Sequence, residues 1–194
     1  MAPIVPPPRS SPEADACARW YATELDWATE GTAPVRLLTG LRFDVLELPA
    51  AAGHAALRRV GRTGPVALAG RRMRVLVATG TADELPGLLD WLEWSGIALD
   101  LAAIGTGGHI DAPAPPGGAG GSPGAAFWLR PPEPRQEVEP RLPALAGLGS
   151  RGGDAPDLVR LVDAAATECH RVRLTQARTH LLTHRPTGQP LAFS

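Results

Sequence analysis

Arg58, Arg59, Arg62, Arg71, Arg72 and Arg74 fall within seventeen consecutive residues that hold no acid. Guanidinium groups grip phosphate through paired hydrogen bonds, so this segment is a candidate surface for the phosphates of nucleic acid or a nucleotide. A solvated face that pairs with the acidic helix following it accounts for it as well. Asp83, Glu84, Asp90, Glu93 and Asp100 follow, with no base among them. Gly105-Thr106-Gly107-Gly108 is rich in glycine, but neither a helix nor a Lys follows it. It therefore reads as a tight turn between strands and not as a phosphate loop. Cys169, His170, His180 and His184 include two His at helical i, i+4 spacing, without the second ligand pair of a structural zinc site. Cys17 and Cys169 sit on apolar helical faces and read as buried thiols. Trp91 and Trp94 stand at the end of an acidic helical stretch, where core packing and a partner or base-stacking surface are both open readings.

Composition bounds what these groups can serve. The chain has 194 residues, among them 32 Ala, 22 Gly and 21 Pro, and it has no Lys and no Asn. Residues with G/C-rich codons are over-used throughout, as in a high-GC bacterial genome. Two Cys are too few for a disulfide-stapled secreted fold, and Gly lacks the three-residue period of collagen. No apolar run reaches the roughly 18 residues of a membrane span, and the Pro-rich start is no signal peptide. The expectation is a soluble, cytoplasmic protein of about one domain, with no membrane partner. Nineteen Arg against 20 acids give a net charge of -1, which is unlike a generic, strongly basic nucleic-acid binder.

The elements that must position these residues follow from periodicity and punctuation. Residues 1–12 hold five Pro and read as a disordered leader. Apolar spacing predicts a helix over 13–29, capped by Ser11 with Pro12 at its first position. Strands are predicted at 35–38 and 43–48 around a Thr39-Gly40 turn, at 65–68, 73–78, 97–101 and 109–111, and at 126–129. Helices are predicted over the Ala run from Ala50 to Arg59 and over Asp83 to Trp94. The irregular mixture of strands and helices argues for an α+β domain over 13–130. A Pro-rich linker (131–156), a C-terminal helix (157–175) and a tail (176–194) complete the chain.

The order of motifs adds a resemblance. Thr39-Gly40 is followed by a strand ending in acids, an Ala/Gly/Leu helix and a Gly-Arg-rich strand. Later come Leu99-Asp100-Leu101 and Gly107-Gly108-His109-Ile110-Asp111-Ala112-Pro113. This order, from about Ala14 to Trp128, resembles the N-terminal domain of bifunctional DNA primase/polymerases, within the archaeo-eukaryotic primase superfamily. Leu99 to Pro113 is its most specific piece. The resemblance implies two apposed α/β lobes with mixed or antiparallel sheets, one lobe built on an RNA-recognition-type sheet, and a groove between them.

The resemblance also implies a chemistry. Nucleotidyl transfer uses divalent cations held by carboxylates to activate the attacking 3′ oxygen and to neutralise the leaving pyrophosphate. Anchored on Gly53, the family's first motif Asp falls on Glu47 and its second on Pro49; Glu can ligate Mg or Mn and Pro cannot. The family's G-G-R-H falls on Gly70-Arg71-Arg72-Met73, so Met73 stands where a phosphate-contacting His belongs. Asp100 keeps the third carboxylate, Ala102 replaces an Arg, and His109 replaces a Tyr. Asp44 is the fallback for the first acid. Glu47 and Asp100 are thus the remnant catalytic and metal-binding pair. The expected function is a primase/polymerase-like protein without polymerase activity, requiring no cofactor, that binds DNA, a nucleotide or a protein partner through the Arg segment. The alternatives are an active minimal primase/polymerase using Glu47 and Asp100 with Mg or Mn, and a structural or regulatory interaction module.

Overall fold

The computed structural model describes residues 11–117, 124–145 and 157–183. In chain order these form helix α1 (Pro12–Glu24), strands β1 (Thr29–Glu30), β2 (Arg36–Leu38) and β3 (Asp44–Pro49), and helix α2 (Ala50–Val60). Strands β4 (Val66–Ala69) and β5 (Arg72–Val77), helix α3 (Thr81–Trp91), and strands β6 (Ala102–Ile104), β7 (His109–Asp111) and β8 (Phe127–Arg130) follow. A 3-10 turn (Glu139–Arg141) and helix α4 (Leu158–Thr183) close the described chain. The fold is α+β, with a small sheet ordered β1-β2-β7 and a large one ordered β6-β3-β5-β4-β8, both antiparallel. The run β3–α2–β4–β5–α3–β6, with spatial order β6-β3-β5-β4, is a split βαβ arrangement.

Register separates the two faces of the large sheet. Glu47 pairs with Arg74 and Pro49 with Arg72, so these four share one face, while Leu46, Leu48, Met73, Val75 and Val77 point to the other. The apolar face is covered by α2, α3 and the first half of α4, which contribute Ala52, Leu85, Leu88, Leu161, Val162 and Ala165 to one core. On the opposite face, Val45 and Leu76 are closed in by α1 and the small sheet through Tyr21, Trp27, Leu37, Phe43 and Ile110. Glu47, Arg72 and Arg74 lie further along that face, half-buried.

Local chemistry fixes the helices. Ser11 caps α1 as expected, its Oγ accepting from Ala14 N at 3.2 Å. Gly53 lets α2 approach β5, because a Cβ there would overlap the Met73 Sδ. α3 has only Gly80 at its N-cap, and the missing acceptor comes from the buried Asp44, whose Oδ2 accepts from Ala82 N at 2.9 Å. A carboxylate at the positive end of a helix is favourable as well as satisfying an orphan donor. Asp44 therefore serves as a cap on the helix side of the sheet.

Several expectations shift. The residues of β2 and β3 do not form a hairpin about Thr39-Gly40, because that turn carries the chain from the small sheet to the large one. Gly105–Gly108 carries it back, and the two crossings lock together. Thr39 Oγ1 donates to Gly105 O at 2.6 Å, Thr39 N donates to Gly108 O at 3.0 Å, and Gly40, at φ 82°, lies so close to Thr106 that a Cβ would overlap its backbone. The helix predicted to Thr29 stops at Glu24. Asp26 turns the chain at φ 55° and Trp27 folds back, its N–H donating to Tyr21 O, to stack on Tyr21 and lie tilted against Phe43. The strand predicted at 97–101 forms at Ala102–Ile104 instead, where β3 offers partners: Val45 to Ile104 and Glu47 to Ala102. Within 131–156, Val138 and Leu142 are buried against the α1 side of the core, and Ala78 N donates to Pro143 O at 2.9 Å. α4 runs past residue 175 to Thr183. Residues 1–10 of the leader, the end of the linker and residues 184–194 of the tail, with His184, lie outside the described residues.

Candidate functional site

The open face of the large sheet carries an alternating network of charges. β3 presents Glu47 and β5 presents Arg72 and Arg74, because side chains two apart on a strand share a face. Glu47 is 21% exposed and uses both oxygens: Arg74 Nε donates to Oε2 at 2.8 Å and Arg72 Nε to Oε1 at 3.2 Å. Arg72 also reaches Asp100, its Nη1 lying 2.8 Å from each carboxylate oxygen. Asp100 precedes β6 and is 62% exposed. Burial alone would lower the Arg72 pKa, but the hydrogen bond to Asp100 and the charges of Asp100 and Glu47 outweigh it and raise it. Arg72 is a fixed cation between two carboxylates.

Arg74 is only 14% exposed, and its Nη1 is buried without a hydrogen-bond partner. Asp111 of the small sheet stands 4.0 Å from that Nη1, which makes it the sheet-to-sheet member of the network. Sequence reasoning missed Asp111 as a site residue. Its only local signal is its place in a short strand, and its proximity to Arg74 arises from the apposition of the two sheets.

The six-arginine segment is not one patch. Arg72 and Arg74 lie on the open face of the large sheet and are held by acids there. Arg58 and Arg59 lie on the last turns of α2, on the opposite side of the sheet. Arg59 reaches Glu168 of α4, Nε to Oε1 at 3.1 Å. Arg62 follows α2 and is exposed, as is Arg71 in the turn between β4 and β5. Nor does the segment pair with the acidic helix. Among the described residues its ionic partners are Glu47, Asp100, Asp111 and Glu168. Pro49 ends β3 opposite Arg72 and offers no ligand, and Ala102 lies opposite Glu47 across β3 and β6. Met73, fully buried on the helix side against Gly53, cannot reach a groove ligand at all. His109 lies elsewhere, on the small sheet, its Nδ1 3.5 Å from Glu30 Oε1.

Glu47 and Asp100 do not fit a divalent cation in this geometry. Hard cations take carboxylate oxygens at roughly 2.0–2.6 Å, and a metal between these two acids would have to expel the Arg72 guanidinium. Among the described residues no group of three His, Cys, Asp or Glu side chains is placed to hold a metal. Cys169 packs beneath Asp100, Sγ donating to the Asp100 carbonyl at 3.4 Å. Burial, with the nearby Asp100 charge, pushes its thiol up to about 12. It is buried, as read from its helical face, whereas Cys17 is only half-buried. His170 lies tilted against Trp94, ring centroids 6.0 Å apart, and Trp94 Nε1 donates to Asp163 at 3.2 Å, so Trp94 packs while Trp91 stays exposed.

Two hollows border the network. One of about 360 Å³ lies between Pro49, Asp100, Cys169 and Arg173. A larger, mainly apolar groove of about 800 Å³ runs between α1 at Trp20 and the segments around Val35 and Pro115, and touches Asp111 at its end. No helix among the described residues is long and apolar enough to cross a membrane. No family model, curated protein or solved structure matches the chain.

Proposed function

We propose that the chain is a primase/polymerase-like domain that has lost nucleotidyl transfer and acts by binding a phosphate-bearing ligand, nucleic acid or a nucleotide. The observation that carries this reading is the Arg72 guanidinium seated between Glu47 and Asp100, 3.2 Å from one and 2.8 Å from the other. A side-chain cation neutralises the two acids, but it has no open coordination position with which to activate a 3′ oxygen or accept a leaving pyrophosphate. The split βαβ order of the large sheet, facing a second sheet across the charged network, agrees with the lobes that the motif order implies. Ligand phosphate would meet the exposed Arg71 and, by displacing Asp111, the Arg74 Nη1, which has no hydrogen-bond partner of its own.

Primer extension with Mg or Mn tests the loss of catalysis. The expected result is no incorporation above a Glu47→Ala, Asp100→Ala control, and incorporation above it would instead establish an active minimal polymerase. Binding is read by fluorescence anisotropy with labelled single-stranded DNA and by thermal shift with nucleotides. Salt-sensitive binding that weakens about tenfold or more in Arg71→Ala, Arg74→Ala is expected. No binding of either ligand at low salt sinks the proposal.

A further inference from the structure

Two exposed helical surfaces complement each other in charge. α4 is buried through Cys169, but residues 173–179 are exposed throughout, with Leu174 50% exposed. From Cys169 to Thr183 the sequence holds no acid and carries Arg171, Arg173 and Arg178. Arg171 shares Glu168 with Arg59, its Nη1 2.9 Å from Oε1, and keeps 58% of its side chain exposed. Arg173 Nη1 anchors the start of this arm on Ala98 O at 2.7 Å. Beyond it residues 174–179 are exposed and add no side chain to the core.

The second surface is α3. Asp83, Glu84, Asp90 and Glu93 are exposed there, and none has a cationic partner among the described residues. Beside Asp90, Trp91 is 71% exposed, too large an apolar side chain to be left in water without a cost.

The spacing of the two surfaces matches. Asp83, Gly87 and Asp90 repeat at i, i+4 and i+7 along α3, and Arg171, Leu174 and Arg178 at i, i+3 and i+7 along the arm. Both charge pairs are separated by about 10.5 Å of helix rise. In antiparallel alignment Arg171 meets Asp90, Arg178 meets Asp83, and Leu174 lies over Gly87. A Cβ at Gly87 would have no atom within 4 Å, so a neighbouring knob has room there.

We propose that the protein self-associates through this contact, the α4 arm of one copy lying antiparallel on α3 of another. Net charge of -1 imposes little overall repulsion between copies, so the local complementarity of a basic arm and an acidic helix decides the encounter. The reading is independent of the groove and of its ligand.

Sedimentation velocity of the full chain, with no ligand added, tests it. Association is expected at low salt and should weaken between about 0.05 M and about 0.5 M salt. Asp83→Arg, Asp90→Arg should weaken the dissociation constant about tenfold or more, and so should Arg171→Glu, Arg178→Glu in a separate chain. An equimolar mixture of the two variants should associate again, because each arm then faces an opposite charge. All four positions are exposed, and circular dichroism checks that both variants keep the fold. A monomer at every concentration and salt, association indifferent to either variant, or failure of the mixture to recover overturns the proposal. So does an arm variant that loses only oligonucleotide binding, which would assign the arm to nucleic acid.

Discussion

The two faces of β5 are made of neighbouring residues and obey different rules. Met73, Val75 and Val77 meet the helices in a closed apolar core, whereas Arg72 and Arg74 meet Glu47, Asp100 and Asp111 on the open face. On the helix side a residue needs only the right size and apolarity, so many partners satisfy it. On the groove side each charge depends on specific partners from distant segments, because an unpaired half-buried ion is costly. A substitution on the first face should therefore act through volume and one on the second through charge.

The largest effect expected on the helix side is a change of sign. Gly→Ala in a helix interior normally stabilises by about 1 kcal/mol. At Gly53 the added methyl has to enter the space of the Met73 side chain. Gly53→Ala should cost about 2 kcal/mol and Met73→Ala about 3 kcal/mol, while the double variant should lose at least 1 kcal/mol less than their sum. Urea unfolding of the four chains reads the cycle, and simple additivity would remove the close contact from the account of how α2 sits on β5.

The same contrast explains what was legible in the sequence. The α+β class, the Ser11 cap, the Ala-rich α2 and the strands on either side of Gly70-Arg71 follow from local spacing and punctuation, and periodicity carries that information. The Thr39-Gly40 turn is legible between its two strands, but sequence does not show which sheet each strand joins. Strand β6 was misplaced by a few residues because Leu99 and Leu101 alternate as well as any strand, and only the pairing with Val45 and Glu47 chooses Ala102–Ile104. The arginines are close in sequence, but alternation along β5 and the turn of α2 distribute them on both sides of the sheet. Glu47 and Asp100 were singled out through the motif resemblance. Their shared Arg72 could not be seen, since it depends on the register of β3 against β5.

On the groove side, removing an acid should be worse than removing the base it shares. Glu47→Ala leaves Arg72 and Arg74 side by side without their common acceptor, and should cost about 2 kcal/mol. Arg72→Ala should cost about 1 kcal/mol, since Glu47 keeps Arg74 and Asp100 is 62% exposed to solvent. Arg72→Ala also uncovers the two carboxylates. If the guanidinium is what excludes a cation, Mn should raise the melting point of Arg72→Ala and leave the wild type and Arg72→Ala, Glu47→Ala unmoved. A Mn-dependent rise in the wild type would show instead that Arg72 yields to metal.

The smallest effect lies where the two regions touch, at Cys169 beneath Asp100. Burial raises this thiol from its ordinary value of 9.0 to about 12. Below about pH 9 both folded and unfolded chains hold the proton, and the group leaves stability unchanged. Between about 9 and 12 the unfolded chain releases a proton that the folded chain retains, so stability falls as pH rises. Tyr21, also raised by burial, adds to the slope above its own ordinary value of 10.0. Cys169→Ala should therefore flatten the decline of the urea midpoint between pH 9 and 11 without abolishing it. It should also cost about 1 kcal/mol at neutral pH for the lost packing and the lost bond to the Asp100 carbonyl. An unchanged slope would mean that water reaches the thiol and that the helix-side core does not extend beneath the acid. In that case α4 would cover the sheet without fixing the position of Asp100, and the charged face would owe its geometry to Arg72 alone.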